Sequence, residues 1–409
     1  MTYFFKKAFV LFILMILSGC SVFNFFSSNK PKIASLEAFE KKFELVKKWE
    51  NQIGSNDVLK SGVGSFGPKI FGKKVIATIG SGSVIAFDLE KGSNVWKINL
   101  NYKILCSVGF LQLNQTEFIA IISEFGELVL LDSTGQVFWK SKLNGIVRIA
   151  PIITNSVVVT LYADNRVVAY DLKSGKRVWA LKRGAPPLIL HGQSGMTLLS
   201  ENQTELNQGF KNENQILINM AGGRILMLDS QTGSVNWESR VVFSSGTNEV
   251  ERIVDLMGSP YVDKDVCTTS YQNSIVCLSF LDGNVTWKRS FRSVQPASFT
   301  PSTVVALDPD SKITAFSRGE DRSAIWESEK FFLRELSAPI IWKNIVWTVD
   351  KEGFLHGLAL KNGEIVSRYR LKDGTLSGMM KTVSNNGLLI QTASGQLILL
   401  NHVEENEKY

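Results

Sequence analysis

The chain has 409 residues, of which 44% are hydrophobic and 20% charged, so wholesale disorder is excluded. Lys and Arg number 45 against 38 Asp and Glu, a formal charge of +7 with no dense basic run, which argues against a nucleic-acid binder. Three histidines and four scattered cysteines with no CxxC pair leave no material for a multi-His metal centre, a zinc ribbon or an iron–sulfur cluster.

Lys6 and Lys7 precede an apolar run from Ala8 to Leu17, followed by Ser18-Gly19-Cys20. A basic start and an apolar run too short to span a bilayer read as a secretory signal, expected over 1–19. Leu17-Ser18-Gly19-Cys20 resembles the bacterial lipobox, which implies acylation of the Cys20 thiol and cleavage just before it. Several acyl chains at ~0.8 kcal/mol per buried CH₂ would make a lasting anchor. Ser21, where inner-membrane retention would want Asp, favours the outer membrane. Cleavage would remove Lys6 and Lys7, leaving 43 basic against 38 acidic residues, or +5. Residues 20–42 are expected to be the lipidated N-terminus and tether. Leu36, Phe39, Phe43 and Val46 are helically spaced, so a helix or a loop over 36–42 stays open.

Beyond the tether one phrase recurs: VIAFDLEKGSNVW ending at Trp96, LVLLDSTGQVFW at Trp139, VVAYDLKSGKRVW at Trp179 and ILMLDSQTGSVNW at Trp237. Weaker copies end at Trp287, Trp326 and Ser367. Each reads as a hairpin: an alternating strand into Asp88, Asp132, Asp171 or Asp229, a turn, then a strand ending in Trp. The Asp carboxylate suits the turn's N–H groups, and the Gly that follows supplies positive φ. Another apolar segment precedes each phrase, and prolines at 151, 260, 301 and 339 mark strand starts. Four strands per ~40 residues is the β-propeller rhythm, with Trp wedged between blades. An eighth phrase begins at Gly395 and stops short, because the tail 404–409 is polar. Phe43 to Trp49 is a Trp-ended segment without a hairpin, and is expected to supply the missing outer strand. The expected fold is all-β: an eight-bladed propeller of four-stranded antiparallel blades over 43–403.

Trp-and-Asp repeats of this kind resemble the quinoprotein propellers. That resemblance implies a pyrroloquinoline-quinone oxidoreductase as the rival function, with an adjacent Cys-Cys pair over the cofactor and carboxylate and Asn ligands for calcium. No two cysteines are adjacent here, and GxSxG, HExxH and P-loop motifs are missing. His191, His356 and His402 lie in different segments without ligand spacing, and read as satisfied surface histidines. No catalytic, cofactor or metal residue is expected. Cys267 and Cys277 flank a hairpin. A two-residue loop sets their sulfurs on opposite faces, and a three-residue loop makes them cross-strand neighbours. Buried thiols are the favoured outcome.

The two widest gaps between repeats are consecutive, 179 to 237 and 237 to 287, against 39–43 residues elsewhere. The first insertion holds Pro186-Pro187-Leu188-Ile189-Leu190-His191-Gly192, and the second runs from Asn248 to Asp255. Apolar anchors beside charges on long loops suit a protein–protein site. Lipobox, tether, blades and these loops together resemble the BamB family, lipoprotein factors of the outer-membrane β-barrel assembly machine. The family's Leu-x-Leu-Arg-Gly stretch matches at Leu188, Leu190 and Gly192, with His191 in place of Arg. Its Glu-x-x-Arg-Leu-x-Asp-x-Asp stretch matches at Glu249, Arg252 and Asp255, with Met257 in place of the last Asp. The resemblance implies a non-enzymatic scaffold, lipid-anchored on the periplasmic face of the outer membrane, docking on the POTRA domains of BamA within the BAM complex and serving unfolded outer-membrane protein precursors. It places the partner contacts at Leu188, Leu190, His191, Glu249, Arg252, Asp255 and Met257. A propeller that binds polysaccharide or peptide is the third possibility.

Overall fold

In a computed structural model of the chain, residues 32–54, 66–190, 194–199, 214–244, 247–372, 380–383 and 387–402 are described. Residues 35–409 form one compact unit. Of the short unit that precedes it, the described residues 32–34 carry no regular structure.

The regular elements among the described residues are strands, arranged as eight four-stranded antiparallel sheets. Seven blades are continuous in sequence: 69–99, 109–142, 152–182, 196–240, 256–290, 298–328 and 340–370. The eighth takes three strands from 381–402 and its outer strand, Leu45–Gln52, from the other end of the described chain. Leu45–Gln52 pairs antiparallel with Gln396–His402, and Trp49 lies opposite Leu399. Closure between distant segments removes the two open edges a linear array would expose. The fold is an eight-bladed β-propeller. The closing strand starts and ends later than the sequence suggests, because Phe43 turns inward instead. Phe43 stacks on His402 and meets Trp342 and Trp347 edge-on. Residues 36–42 are loop, laid along blade 7. Lys42 and Phe43 both donate N–H groups to the carbonyl of Val366, and the Arg368 guanidinium covers the ring of Phe39.

The middle strands are apolar on both faces, because each sheet is covered by a neighbour on either side. Val157–Leu161 and Gln215–Met220 are buried throughout. The outer strands alternate, and their Trp bridges to the next blade. Trp49, Trp139, Trp179, Trp237, Trp287 and Trp326 donate their indole N–H to backbone carbonyls of Leu89, Leu172, Ser230, Phe280, Ser317 and Leu360, at 2.7–3.1 Å. The ring satisfies its one polar atom while its carbon face is buried. Trp96 departs from the pattern and bonds the Glu117 carboxylate at 2.7 Å. The repeated Asp residues cap their turns as expected: Asp88 accepts from the N–H groups of Glu90 and Lys91, and Asp229 from those of Gln231 and Thr232.

One cysteine expectation is corrected. Cys267 and Cys277 form a disulfide rather than two buried thiols, while Cys106 is a buried free thiol. The turn between the strands is the three-residue alternative, Tyr271 to Asn273, with Gln272 at φ 48°. That register sets Cys267 directly opposite Cys277.

Candidate functional site

Each blade is antiparallel, so its second-to-third turn and its exit to the next blade emerge on the same face of the ring. Hydrogen bonds tie the two together: Leu143 N–H to Gly126, Arg183 to Asn165, and Val241 to Gly223. The segment carrying Leu188 and Leu190 is the exit after blade 3 and residues 248–255 belong to the exit after blade 4, so these two segments lie side by side on this face.

The second insertion is shaped by its own side chains. Asn248 accepts the Glu251 N–H at 2.9 Å, starting a turn in which Arg252 and Ile253 donate N–H groups to the carbonyls of Glu249 and Val250. Glu251 folds back to accept the Thr247 N–H and hydroxyl at 2.8 and 3.0 Å, and those bonds lower its pKa. Glu251 is thereby spent inside the loop. Glu249, Val250 and Arg252 are left facing solvent. In the first insertion Leu188 is exposed, while Leu190 is half-buried and donates its N–H to Asp255 at 2.6 Å. The other oxygen of Asp255 accepts the N–H of Gly222, in the blade 4 turn, at 2.8 Å. One carboxylate therefore joins both insertions to the scaffold.

Several large apolar side chains on this face over blades 2–5 are exposed: Phe125 is 62% exposed, Ile146 51%, Leu188 39%, Phe243 67% and Val250 66%. Phe125 occupies a second-to-third turn, and the other four occupy exits. Arg240 covers one side of the Phe243 ring, at 5.1 Å. Exposed apolar side chains beside charges are compatible with a protein-interaction surface.

The family model for outer membrane protein assembly factor BamB matches residues 80–328, from blade 1 through blade 6 and across both insertions. The chain belongs to that family. A BamB from Bordetella pertussis is 28% identical over 397 residues, 97% of this chain and 96% of its own. The BamB of Escherichia coli K12 is 23% identical over 394 residues, 93% of this chain and 94% of its own. The crystal structure of BamB from Moraxella catarrhalis gives a TM-score of 0.73 at 22% identity, covering 88% of this chain and 100% of that one. Quinohemoprotein alcohol dehydrogenase from Comamonas testosteroni gives 0.63 at 12% identity, covering 89% and 78%. At these identities the solved structures speak for the fold alone.

The quinoprotein likeness raises the question of a quinone and its calcium. A cavity of about 690 Å³ lies against the innermost strands of blades 5–8. Its lining does not fit that pair. Cys267 is bonded across a ladder to Cys277, not to an adjacent residue, and both are fully buried. The lining carboxylates are committed: Asp350 to Arg334 and His356 at 2.7 and 2.8 Å, Glu335 to Lys351 at 2.6 Å.

The expected partner residues divide in a BamB-family chain of this sequence. Leu188, Glu249 and Arg252 are exposed on the face. Asp255 and Met257 are 0% and 2% exposed, beneath the face rather than on it. Met257 opens the innermost strand of blade 5, opposite Thr269, and Asp255 holds loops in place. His191, Gly192 and Cys20 lie outside the described residues. Phe125, Ile146, Phe243 and Val250 were not singled out. An aromatic inside the turn Glu124-Phe125-Gly126 is a readable signal, since no core position exists there.

His356 also differs from expectation, being satisfied but fully buried. Its Nε2–H donates to Asp350 at 2.8 Å, while Nδ1 accepts from Arg368 at 3.3 Å, so the ring is neutral. Burial lowers its pKa, with Arg368 and Arg334 adding to that against Asp350. A folded-state pKa below the usual 6.5 means the native state resists protonation that the unfolded chain accepts. The His356 contribution to stability should be level above pH 6.5 and fall as pH drops below it. Melting temperature against pH is expected to fall less steeply for His356→Gln between the usual and the lowered pKa. Parallel curves would remove His356 from this role.

Proposed function

We propose that the chain is a non-enzymatic scaffold of the outer-membrane β-barrel assembly machine, held on the periplasmic face by a lipidated Cys20. It docks on the POTRA domains of BamA through the face that carries both insertions. Family membership supports the assembly role. The observation that carries the docking face is the exposed set Leu188, Phe243 and Val250 beside Glu249 and Arg252. Asp255 positions the loops without meeting the partner. Barrel precursors, arriving as extended chains, would add to the exposed edges of outer strands.

Leu188→Asp with Val250→Asp tests the docking face. Both positions are exposed, so the fold should survive, while two desolvated charges at an interface centre weaken binding at least about tenfold each. Co-purification with BamA after detergent extraction is expected to disappear, with melting unchanged. Intact co-purification would remove this face from the proposal.

A further inference from the structure

Tracing each ladder inward from the outer-strand Trp position reaches one residue per blade on the innermost strand. In blade 1 the row runs Trp96, Ala86, Ile76, Lys69. In blade 8 it runs Trp49, Leu399, Leu389, Lys381. The same tier in blades 2–7 holds Gly109, Ile152, Thr197, Tyr261, Ser298 and Ile340. Of the eight positions, the two that carry charge are both lysines. Blade 8 adjoins blade 1 where the ring closes, so they are neighbours.

Neither ammonium has a carboxylate or hydrogen-bond partner among the described residues. Lys381 lines the 690 Å³ cavity, together with Ser298, Ser337 and Thr382. Burial pushes Lys381 down to about 8, with Lys69 adding repulsion, and burial lowers Lys69 as well. The thiol near Lys69 offers no counter-charge, because burial pushes Cys106 up to about 12. Both lysines are half-buried, so two cations stand side by side only partly screened by water, and an anion between them relieves that repulsion. A shared oxyanion does so through charge-assisted hydrogen bonds from both ammonium groups.

We propose that Lys69 and Lys381 form an oxyanion site on the inner wall of the ring, taking a phosphate or carboxylate group at the junction of blades 8 and 1. The tier equivalence sets the two side chains at one height, and the cavity gives the group access from the side of blades 5–8. The site is separate from the docking face and does not depend on it.

The full chain, purified in neutral detergent, is titrated by calorimetry and melted with inorganic phosphate, with succinate, and with sodium chloride at matched ionic strength. Phosphate or succinate is expected to raise the melting temperature beyond the chloride control, and whichever acts names the source of the oxyanion. Lys69→Met with Lys381→Met should melt higher than the parent without anion and bind at least about tenfold more weakly, since a charge-assisted bond is lost on each side. Should that double variant not fold, Lys381→Gln alone gives the same comparison. No heat and no shift beyond chloride in the unaltered chain, or a shift that survives the substitutions, would overturn the proposal.

Discussion

Trp237→Ala is expected to destabilise the protein by about 3–5 kcal/mol, the range for truncating a buried Trp. Trp237 is 7% exposed and reaches from the outer strand of blade 4 to blade 5, where its indole N–H bonds the Phe280 carbonyl at 2.9 Å. Its six-membered ring lies over Gly283, at φ +70°, and a Cβ there would come within 2.5 Å of Cε3. Gly283→Ala alone should therefore cost about 1–3 kcal/mol through overpacking and backbone strain. The double variant should cost less than the sum, because removing the indole opens the space the methyl needs. Urea unfolding followed by far-UV circular dichroism measures all three, and additive losses would mean that the two residues do not form one joint. Trp96→Ala is the contrast. Trp96 is half-buried and bonds Glu117, while Gly135 of the next blade meets Ile98 instead, so a smaller loss is expected.

Blades, turns and ring closure were legible because each depends on local chemistry repeated many times. Asp ahead of a positive-φ Gly, with Trp after it, is a hairpin and an inter-blade contact in one phrase, and Trp49 without its own hairpin pointed to closure. What escaped depends on a register or a face that no single segment encodes. One residue of loop length decided whether Cys267 met Cys277. Helical spacing at Leu36, Phe39, Phe43 and Val46 was overridden once Phe43 found Trp342 and Trp347 and the N–H groups of residues 42–43 found Val366. Lys69 and Lys381 lie over three hundred positions apart and become neighbours only when eight ladders are aligned. The segments 186–192 and 248–255 were legible as parts of the two longest gaps between repeats. What was not legible is that Asp255 and Met257 lie beneath the face, although Ile253, Val254 and Leu256 around them are apolar enough to signal a buried approach to a strand.

Asp255→Ala is accordingly expected to act on stability and loop order first, and on partner binding only through them. The carboxylate is fully buried and accepts two backbone N–H groups, Leu190 at 2.6 Å and Gly222 at 2.8 Å, from segments more than thirty positions away on either count. Removing it leaves the buried Gly222 donor without an acceptor at about 1–3 kcal/mol, and the part-buried Leu190 donor at less than that because water can reach it, for a loss of roughly 1–4 kcal/mol. Asp255→Asn should recover only part of this, since its single amide oxygen cannot serve both donors. Hydrogen exchange is the decisive measurement. Leu190 and Gly222 amides should lose protection in Asp255→Ala while the middle strand Arg224–Asp229 keeps its own. Unchanged exchange at Leu190, together with weakened BamA co-purification, would instead make Asp255 a contact residue and reverse its assignment as the support beneath the exposed Leu188 and Val250.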